Sequence, residues 1–448
     1  MKRLIKKLIP ARLWDKYHLF LAYLAGARFG FPSEKMIVIG VTGTNGKTTT
    51  CNLVARILEG AGHRVGLTTT ANFKIAEREW LNDTKMTMLG RFHLQGLLAR
   101  MVEAGCKYAV VETSSEGVKQ SRHAAINYDV VVFTNLTPEH IESHGGFENY
   151  KKAKGKLFAH LTARPHKRFD GAVVKKTAVA NLADPHAEYF LGFKADRKFG
   201  FMAERPGTKA HGAALPHLER VTAKDVVLSP AGSTFTVAGT KFRLNLPGLF
   251  NVENALAAIT VGEALGVPLE VMALALDKVK GVPGRMEHID LGQPFSVLVD
   301  YAPEPESFKK LYEVVRMMKP AGRVIHVLGS CGGGRDIARR PILGALAAEN
   351  ADVVIVTNED PYDDDPLGII KDVAEGAEQK GKIPGKDLFL ILDRGEALAK
   401  AVSLAKPGDL VIATGKGAEQ AICVARGQKI PWDDRAKLRE IIAEWLKA

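Results

Sequence analysis

Cysteine is scarce in this chain and long apolar runs are absent. Cys51, Cys106, Cys331 and Cys423 are the four cysteines in 448 residues, and no two stand in CxxC spacing. That excludes a disulfide framework and fits free thiols in a reducing cytosol. The uninterrupted apolar stretch near the start, residues 19–25, is far short of the roughly 20 residues that a membrane-spanning helix needs. No small-residue cleavage site follows the basic opening, which argues against a signal peptide. Internal repeats and low-complexity tracts are missing as well. The formal net charge is +12, but Lys and Arg are spread along the chain rather than gathered in one tract. The excess suits an anionic partner such as a nucleotide, a membrane surface or an acidic metabolite, and does not single out nucleic acid.

What is present is an ordinary globular composition, 46% hydrophobic and 25% charged, in a chain too long for one core. Apolar, β-branched runs alternate with helical patterns from residue 36 onward. "MIVIGV", "YAVVET", "DVVVFTNL", "SVLVDYA", "RVIHVLGS", "DVVIVTNE", "LFLIL" and "DLVIAT" read as strands, with "TTTCNLVARILEGAG" and "RRPILGALAAEN" as helices between them. Strands without polar alternation, separated by helices, predict parallel sheets covered on both faces. Residues 163–246 are richer in Lys, His, Gly and Pro and read as an antiparallel or irregular excursion. "GVPGRMEHI" carries Gly281, Pro283 and Gly284 and marks a boundary. The expected fold is therefore α/β: a basic, amphipathic helical segment over 1–35, a central P-loop-type, mostly parallel sheet domain over 36–283, and a C-terminal Rossmann-like domain over 284–448. Two readings stand for the first segment, packing on the body of the protein or contact with a membrane surface.

The chemistry starts at "VIGVTGTNGKTTT". A strand ends in Gly43, Thr44, Asn45 and Gly46, and Lys47, Thr48 and Thr49 open a helix. Backbone N–H groups of such a turn point at an anion, and the helix dipole favours it. Lys47 would reach outer phosphates and the Thr48 hydroxyl would hold Mg²⁺. Position 41 is Val where the usual P-loop spacing has Gly. A second strand ends in Glu112, the place for a carboxylate ligand of a metal. A third leads to His140 and His144 and then to a helix with Lys154. Taken singly, each of these is also common as a strand-end charge, a structural histidine or a solvated lysine.

Taken in order, "GVTGTNGKTTT", "VETSSEG", "FTNLTPEHIESHG", "ENYKKAKGKLF", "LPGLFNVENALAAI", "GRME", "VDYA", "GGGRDIARRP", "TNEDPYDDDP", "GKGAE" and "DDR" resemble the Mur ligases. Within that family the chain looks most like the UDP-MurNAc-tripeptide synthetases, from residue 36 to the end. The resemblance implies a cytoplasmic, monomeric, ATP-dependent ligase that joins an amino acid to the carboxylate of a nucleotide-sugar peptide through an acyl phosphate, in peptidoglycan precursor synthesis. It implies that Thr48 and Glu112 hold one Mg²⁺, that Glu112, His140 and Lys154 serve a second, and that Lys154 is carbamylated. Asn251 and Asn254 match positions near adenine, and Arg285 and Asp300 match the inter-domain hinge and ATP contacts. Thr87, Ser114 and Arg122 match the grip on the muramyl peptide, and Asp360, Tyr362 and Glu419 fall in the motifs that receive the amino acid.

The chain departs from the family pattern at several points. The family's N-terminal uridine-diphosphate-binding domain is expected to be reduced here to residues 1–35, which leaves room for a lipid-linked or other acceptor. "DNPR" reads "EDPY", so Tyr362 stands where an Arg would pair a distal carboxylate. With Asp363, Asp364 and Asp365 beside it, that predicts lysine or ornithine rather than diaminopimelate; the same aspartates also suit a helix start at Pro366. Glu116 and Ala418 replace histidines, and "DYAHTPD" reads "DYAPEPE". Two other readings use the same machinery: a folylpolyglutamate synthase-like ligase, and a non-catalytic ATP-binding relative, against which the retained Lys47, Glu112, His140 and Lys154 speak.

Overall fold

The computed structural model describes residues 11–139, 141–212 and 214–447. Helix α1 (Ala11–Arg28) and a short 3₁₀ turn (Pro32–Lys35) come first; residues 1–10 of the expected N-terminal segment lie outside the described residues. One face of α1 packs on the body. Ala22 is buried against Ala124 and Ala125, Ala25 is buried as well, Arg91 Nε donates to the His18 carbonyl at 3.1 Å, and the Arg164 guanidinium lies 5.2 Å from the Tyr23 ring centre.

Strand β1 (Ile37–Thr42) is buried along its whole length, because helices cover both faces of its sheet. Helix α2 (Lys47–Gly60) follows and packs on one face with the helices Leu249–Ala264 and Leu269–Asp277. The helices Arg91–Glu103 and Phe147–Leu161 fill the other. The sheet has eleven strands, with β1 between Tyr108–Glu112 and Val130–Phe133. Seven adjacent strands run parallel, and antiparallel strands flank them at both edges. All eight strands read from sequence are present.

The stretch 163–246 departs from its expected form. Thr177–Asn181, Arg197–Ala203 and Leu218–Ser229 extend the parallel sheet, Gly232–Val237 runs antiparallel to the last of them, and Thr240–Leu244 runs antiparallel to Gly232–Val237 at the edge. The polar composition obscured strands whose inward residues, such as Phe199 and Phe201, still seal the core.

A second sheet of six strands contains residues 287–413. Five strands are parallel and the short Glu287–His288 is antiparallel at one edge. Helices cover both faces here too. The four cysteines are free and buried. Among the described residues, no helix is long and apolar enough to cross a membrane.

Candidate active site

The phosphate loop lies at the carboxyl ends of three adjacent parallel strands, where open α/β sheets present ligand sites. Gly46 caps helix α2 with φ 83°, and a Cβ there would come within 2.1 Å of Asn254 Oδ1. At Gly43 a Cβ would meet Thr134 Oγ1 at 1.9 Å. Only glycine allows this close approach. The segment after the third strand props the loop from behind. Asn135 Oδ1 accepts from the Asn45 amide at 2.9 Å, Thr134 Oγ1 donates to the Asn45 carbonyl at 2.7 Å, and the Asn135 carbonyl accepts from the Thr44 amide at 2.8 Å.

Val41 is in register with Glu112, which sets that carboxylate beside the start of α2. Thr48 Oγ1 donates to Glu112 at 2.9 Å, and the other donors to this buried carboxylate are the Thr70 amide at 2.8 Å and hydroxyl at 2.9 Å. A threonine hydroxyl against a carboxylate is an oxygen donor set of the kind Mg²⁺ takes. Lys47 Nζ donates to the Thr44 carbonyl at 2.6 Å. Lys154, 1% exposed, donates to the Gly43 carbonyl at 2.7 Å and lies 4.3 Å from the Tyr150 ring centre. Burial, with the Lys47 charge nearby, holds its amine well below the ordinary lysine range. His140 lies outside the described residues.

These groups line one cleft, with about 170 Å³ of enclosed free space. Thr44, Asn45, Gly46, Thr49, Thr87, Ser114, Asn251 and Asn254 join them, and so do Arg285 and Asp300 from the second sheet's side. Asn254 Nδ2 donates to Asn251 Oδ1 at 3.2 Å, and Asn254 Oδ1 accepts from Thr50 at 3.4 Å, tying the pair to α2. Thr87 Oγ1 accepts from Thr70 at 3.0 Å, while Ser114 caps the turn Ser115–Lys119 through the Gly117 amide. Arg285 donates to Thr48 Oγ1 at 3.1 Å with its guanidinium 4.4 Å from the Tyr301 ring centre. Burial raises the Asp300 carboxyl even though Arg285 opposes it; its oxygens accept from the Met286 and Ala302 amides at 2.7 and 2.8 Å. Ser307 Oγ donates to Asn45 Oδ1 at 3.1 Å. The second unit thus closes directly over the phosphate loop.

Gly43, whose carbonyl takes the Lys154 bond, and four further predicted residues are off the cleft wall. Arg122 turns to the Met88 carbonyl and the Gln120 side chain. Asp360, Tyr362 and Glu419, expected together, form a neighbouring cluster that Lys85, which was not expected there, joins. Lys85, from the loop after the hairpin of the central sheet, puts its Nζ between Asp360 Oδ2, at 2.7 Å, and Glu419. Lys416 Nζ sits 3.0 Å from each of the same two carboxylates, and the Cys423 amide donates to Asp360 at 2.7 Å. Burial alone would lower the Lys85 ammonium, but Glu419 and Asp360 outweigh it and hold it well above its ordinary range.

The expectation of an acidic pocket open to a cationic side chain is corrected here. Asp363 accepts from the Arg426 amide, Asp364 from the Gly333 amide, and Asp365 caps the helix Pro366–Glu378. The acidic run is therefore taken up by backbone donors: Asp365 by its own helix, as its position before Pro366 allows, and the other two by segments 63 and 31 residues away. Lys85 was missed because nothing in "NDTKMT" marks it; its partners come from motifs some 275 and 334 residues away. Thr70, Glu139, Tyr150, Lys310 and Arg335 also line the cleft without having been singled out.

Comparison with known proteins bears on this site. The Mur ligase middle domain matches residues 41–262, and the Mur ligase, glutamate ligase domain matches 284–417. The chain is 42% identical to a UDP-N-acetylmuramyl-tripeptide synthetase of Roseiflexus sp. (strain RS-1), over 97% of this chain and 84% of that one. It is 36% identical to a UDP-N-acetylmuramoyl-L-alanyl-D-glutamate--2,6-diaminopimelate ligase of Geobacillus thermodenitrificans, over 95% and 82%. A solved structure of a ligase of that second name superposes with a TM-score of 0.57 at 29% identity, over 92% and 79%. Folylpolyglutamate synthase of Mycobacterium tuberculosis, with ADP, gives a TM-score of 0.65 at 17% identity, over 89% and 91%, a likeness of fold alone. With both of its sheets accounted for by these matches, the chain belongs to the Mur ligase family.

Proposed function

We propose that this protein is an ATP-dependent, ADP-forming carboxylate–amine ligase that adds an amino acid to a UDP-MurNAc-peptide-like acceptor in the cytoplasm, acting as a monomer with working units 36–283 and 284–448. One observation carries the reading. Thr48, Glu112, Lys47 and the buried Lys154 converge in a single cleft, and Arg285 reaches that cleft from the other unit.

The acceptor carboxylate attacks the γ-phosphorus of ATP, which leaves an acyl phosphate and ADP. The incoming amine then adds to the acyl carbon, and the tetrahedral adduct loses inorganic phosphate and a proton to give the amide. A carboxylate is a poor nucleophile and both first-step reactants are anionic, so the chain must neutralise charge and hold geometry. Lys47 and the loop amides do this for the phosphates, and Asn251 and Asn254 wall the nucleotide side. Thr48 and Glu112 would hold one Mg²⁺, and Glu112, His140 and Lys154 a second. The ions supply charge neutralisation and in-line positioning. An ammonium would repel an ion. A neutral, buried Lys154 amine instead adds CO₂ and loses a proton to become a carbamate, an anionic oxygen ligand, which favours the carbamate form there.

Thr87 and Ser114 stand where the acceptor peptide enters. Lys85 occupies the place between Asp360 and Glu419 that suits the ammonium of an incoming amino acid, so amine entry requires Lys85 to give way.

The test is phosphate release by the full chain with Mg-ATP, UDP-MurNAc-dipeptide and, in turn, L-lysine, L-ornithine or diaminopimelate, with product mass as the second readout. A mass gain of one amino-acid residue upholds the reading. Release of phosphate only with a folate or a lipid-linked muramyl peptide would replace the acceptor. Silence with every acceptor, despite ATP binding, would favour a non-catalytic relative.

A further inference from the structure

Helix α1 has two apolar faces, and only one is used by the body of the protein. Ala22 and Ala25 are buried on the inner side. On the other side Leu13, Tyr17, Phe20 and Leu24 are 54, 50, 63 and 45% exposed. At 3.6 residues per turn, positions 13, 17, 20 and 24 fall within an arc of about 60°, so they form one continuous stripe rather than scattered surface residues. Lys16 and Arg28 are exposed as well and lie about 60° to either side of the stripe's centre. Phe92, 42% exposed, adds an exposed aromatic on the adjoining helix, whose Arg91 bonds α1.

Charge says what covers the stripe. Residues 1–28 contain Lys2, Arg3, Lys6, Lys7, Arg12, Lys16 and Arg28 against the single acid Asp15. An exposed aromatic and leucine stripe flanked by cations, next to a basic tract, is the pattern of a helix that lies in the headgroup region of an anionic bilayer. A purely protein-facing stripe would need no such excess, and spanning is excluded for this helix.

We infer that the outer face of α1 docks this protein on an anionic lipid surface. The helix lies flat, with Leu13, Tyr17, Phe20 and Leu24 entering the interface and the basic residues meeting lipid phosphates. The face is remote in role from the cleft, so docking sets where the protein works and not what it does.

The experiment is co-sedimentation of the full chain with vesicles of phosphatidylglycerol and phosphatidylcholine, or of phosphatidylcholine alone, at low and high salt. The wild-type chain is expected to pellet at least ten-fold more with the anionic vesicles, and less as salt rises. Phe20→Ser/Leu24→Ser is expected to lose that binding while keeping its circular dichroism spectrum and ATP binding, since both side chains are exposed. Wild-type chain that stays in the supernatant with anionic vesicles overturns the inference, and so does a double variant that pellets equally well. A wild-type dimer in light scattering that the double variant abolishes overturns it too, by assigning the stripe to a second copy.

Discussion

Around Lys47 and Thr48 the polar groups face an open cleft, whereas a few residues away in space the charges around Asp360 are sealed. Lys85 and Lys416 have side chains 5 and 0% exposed, against carboxylates 4 and 11% exposed. The phosphate side is a cradle preorganised by backbone, its glycines fixed by Thr134 and Asn254 and its loop propped by Asn135. The side proposed to receive the amino acid is a closed ionic network of two acids and two bases. Preorganised donors act without rearrangement when charge develops. A buried ionic network gives up a partner only at a cost of several kcal/mol. The two sides therefore differ in what limits them: the first by which groups are present, the second by whether its network opens.

The largest effect is expected on the phosphate side. Lys154→Ala should lower turnover by about a thousand-fold, as removal of a preorganised charge-stabilising group does, with the circular dichroism spectrum unchanged. Lys154→Glu, which restores an oxygen ligand, should recover part of the loss. Full activity in the alanine variant would remove Lys154 from the metal site.

Next comes the network. Lys85→Met leaves Asp360 and Glu419 with Lys416 alone, so the KM for an amine-bearing amino acid should fall by about ten-fold, in line with a charged hydrogen bond. The KM for ATP should not move. A raised amino-acid KM would make Lys85 part of the binding surface rather than an occupant of it.

A smaller shift should follow Tyr362→Arg, which restores a guanidinium beside Asp360. The ratio of kcat/KM for diaminopimelate to that for lysine should rise about five-fold. An unchanged ratio would place Tyr362 outside the selecting surface.

The smallest effect on the site is expected from His326, buried in the second sheet between Tyr312 and Thr414. Burial, with Arg394 adding to it, lowers its pKa to about 3. A histidine held neutral this way contributes stability above its unfolded pKa of about 6.5, and that stability is lost as pH falls toward 3. The slope is about 1.4 kcal/mol per pH unit for one proton. His326→Gln should be less stable at pH 7.5 but show a shallower decline between pH 6.5 and 4 in urea unfolding. Parallel declines would show that this proton uptake belongs elsewhere, for example to His123, which burial lowers to about 3 as well.

Legibility in the sequence follows the same division. The strands at 37–42, 108–112 and 130–133 were readable because burial on both faces leaves unbroken apolar runs. The phosphate loop was readable because its glycines, lysine and threonine are contiguous. Glu112 and Lys154 were found through motifs, and the cleft brings both to the loop. The parallel strands at 177–181, 197–203 and 218–229 were not readable, since polar outward residues dilute the period, whereas the antiparallel pair after them fits the expected excursion. Residues paired from distant segments carried no local signal: Lys85 with Asp360, Arg285 with Thr48, and Ser307 with Asn45.

By itself the sequence determined two α/β units, a glycine-rich turn between a strand and a helix, and the set of polar groups proposed to meet ATP. These depend on neighbours within a few residues and on the spacing of apolar side chains. Only the tertiary structure decided that Asp363 and Asp364 bond backbone from distant segments, that α1 buries one apolar stripe and exposes another, and that Lys85, from the loop after the hairpin, sits between Asp360 and Glu419 of the other unit. Such outcomes depend on which charge comes within about 3 Å of which carboxylate, and at those separations the interaction outweighs any preference that the linear neighbours impose.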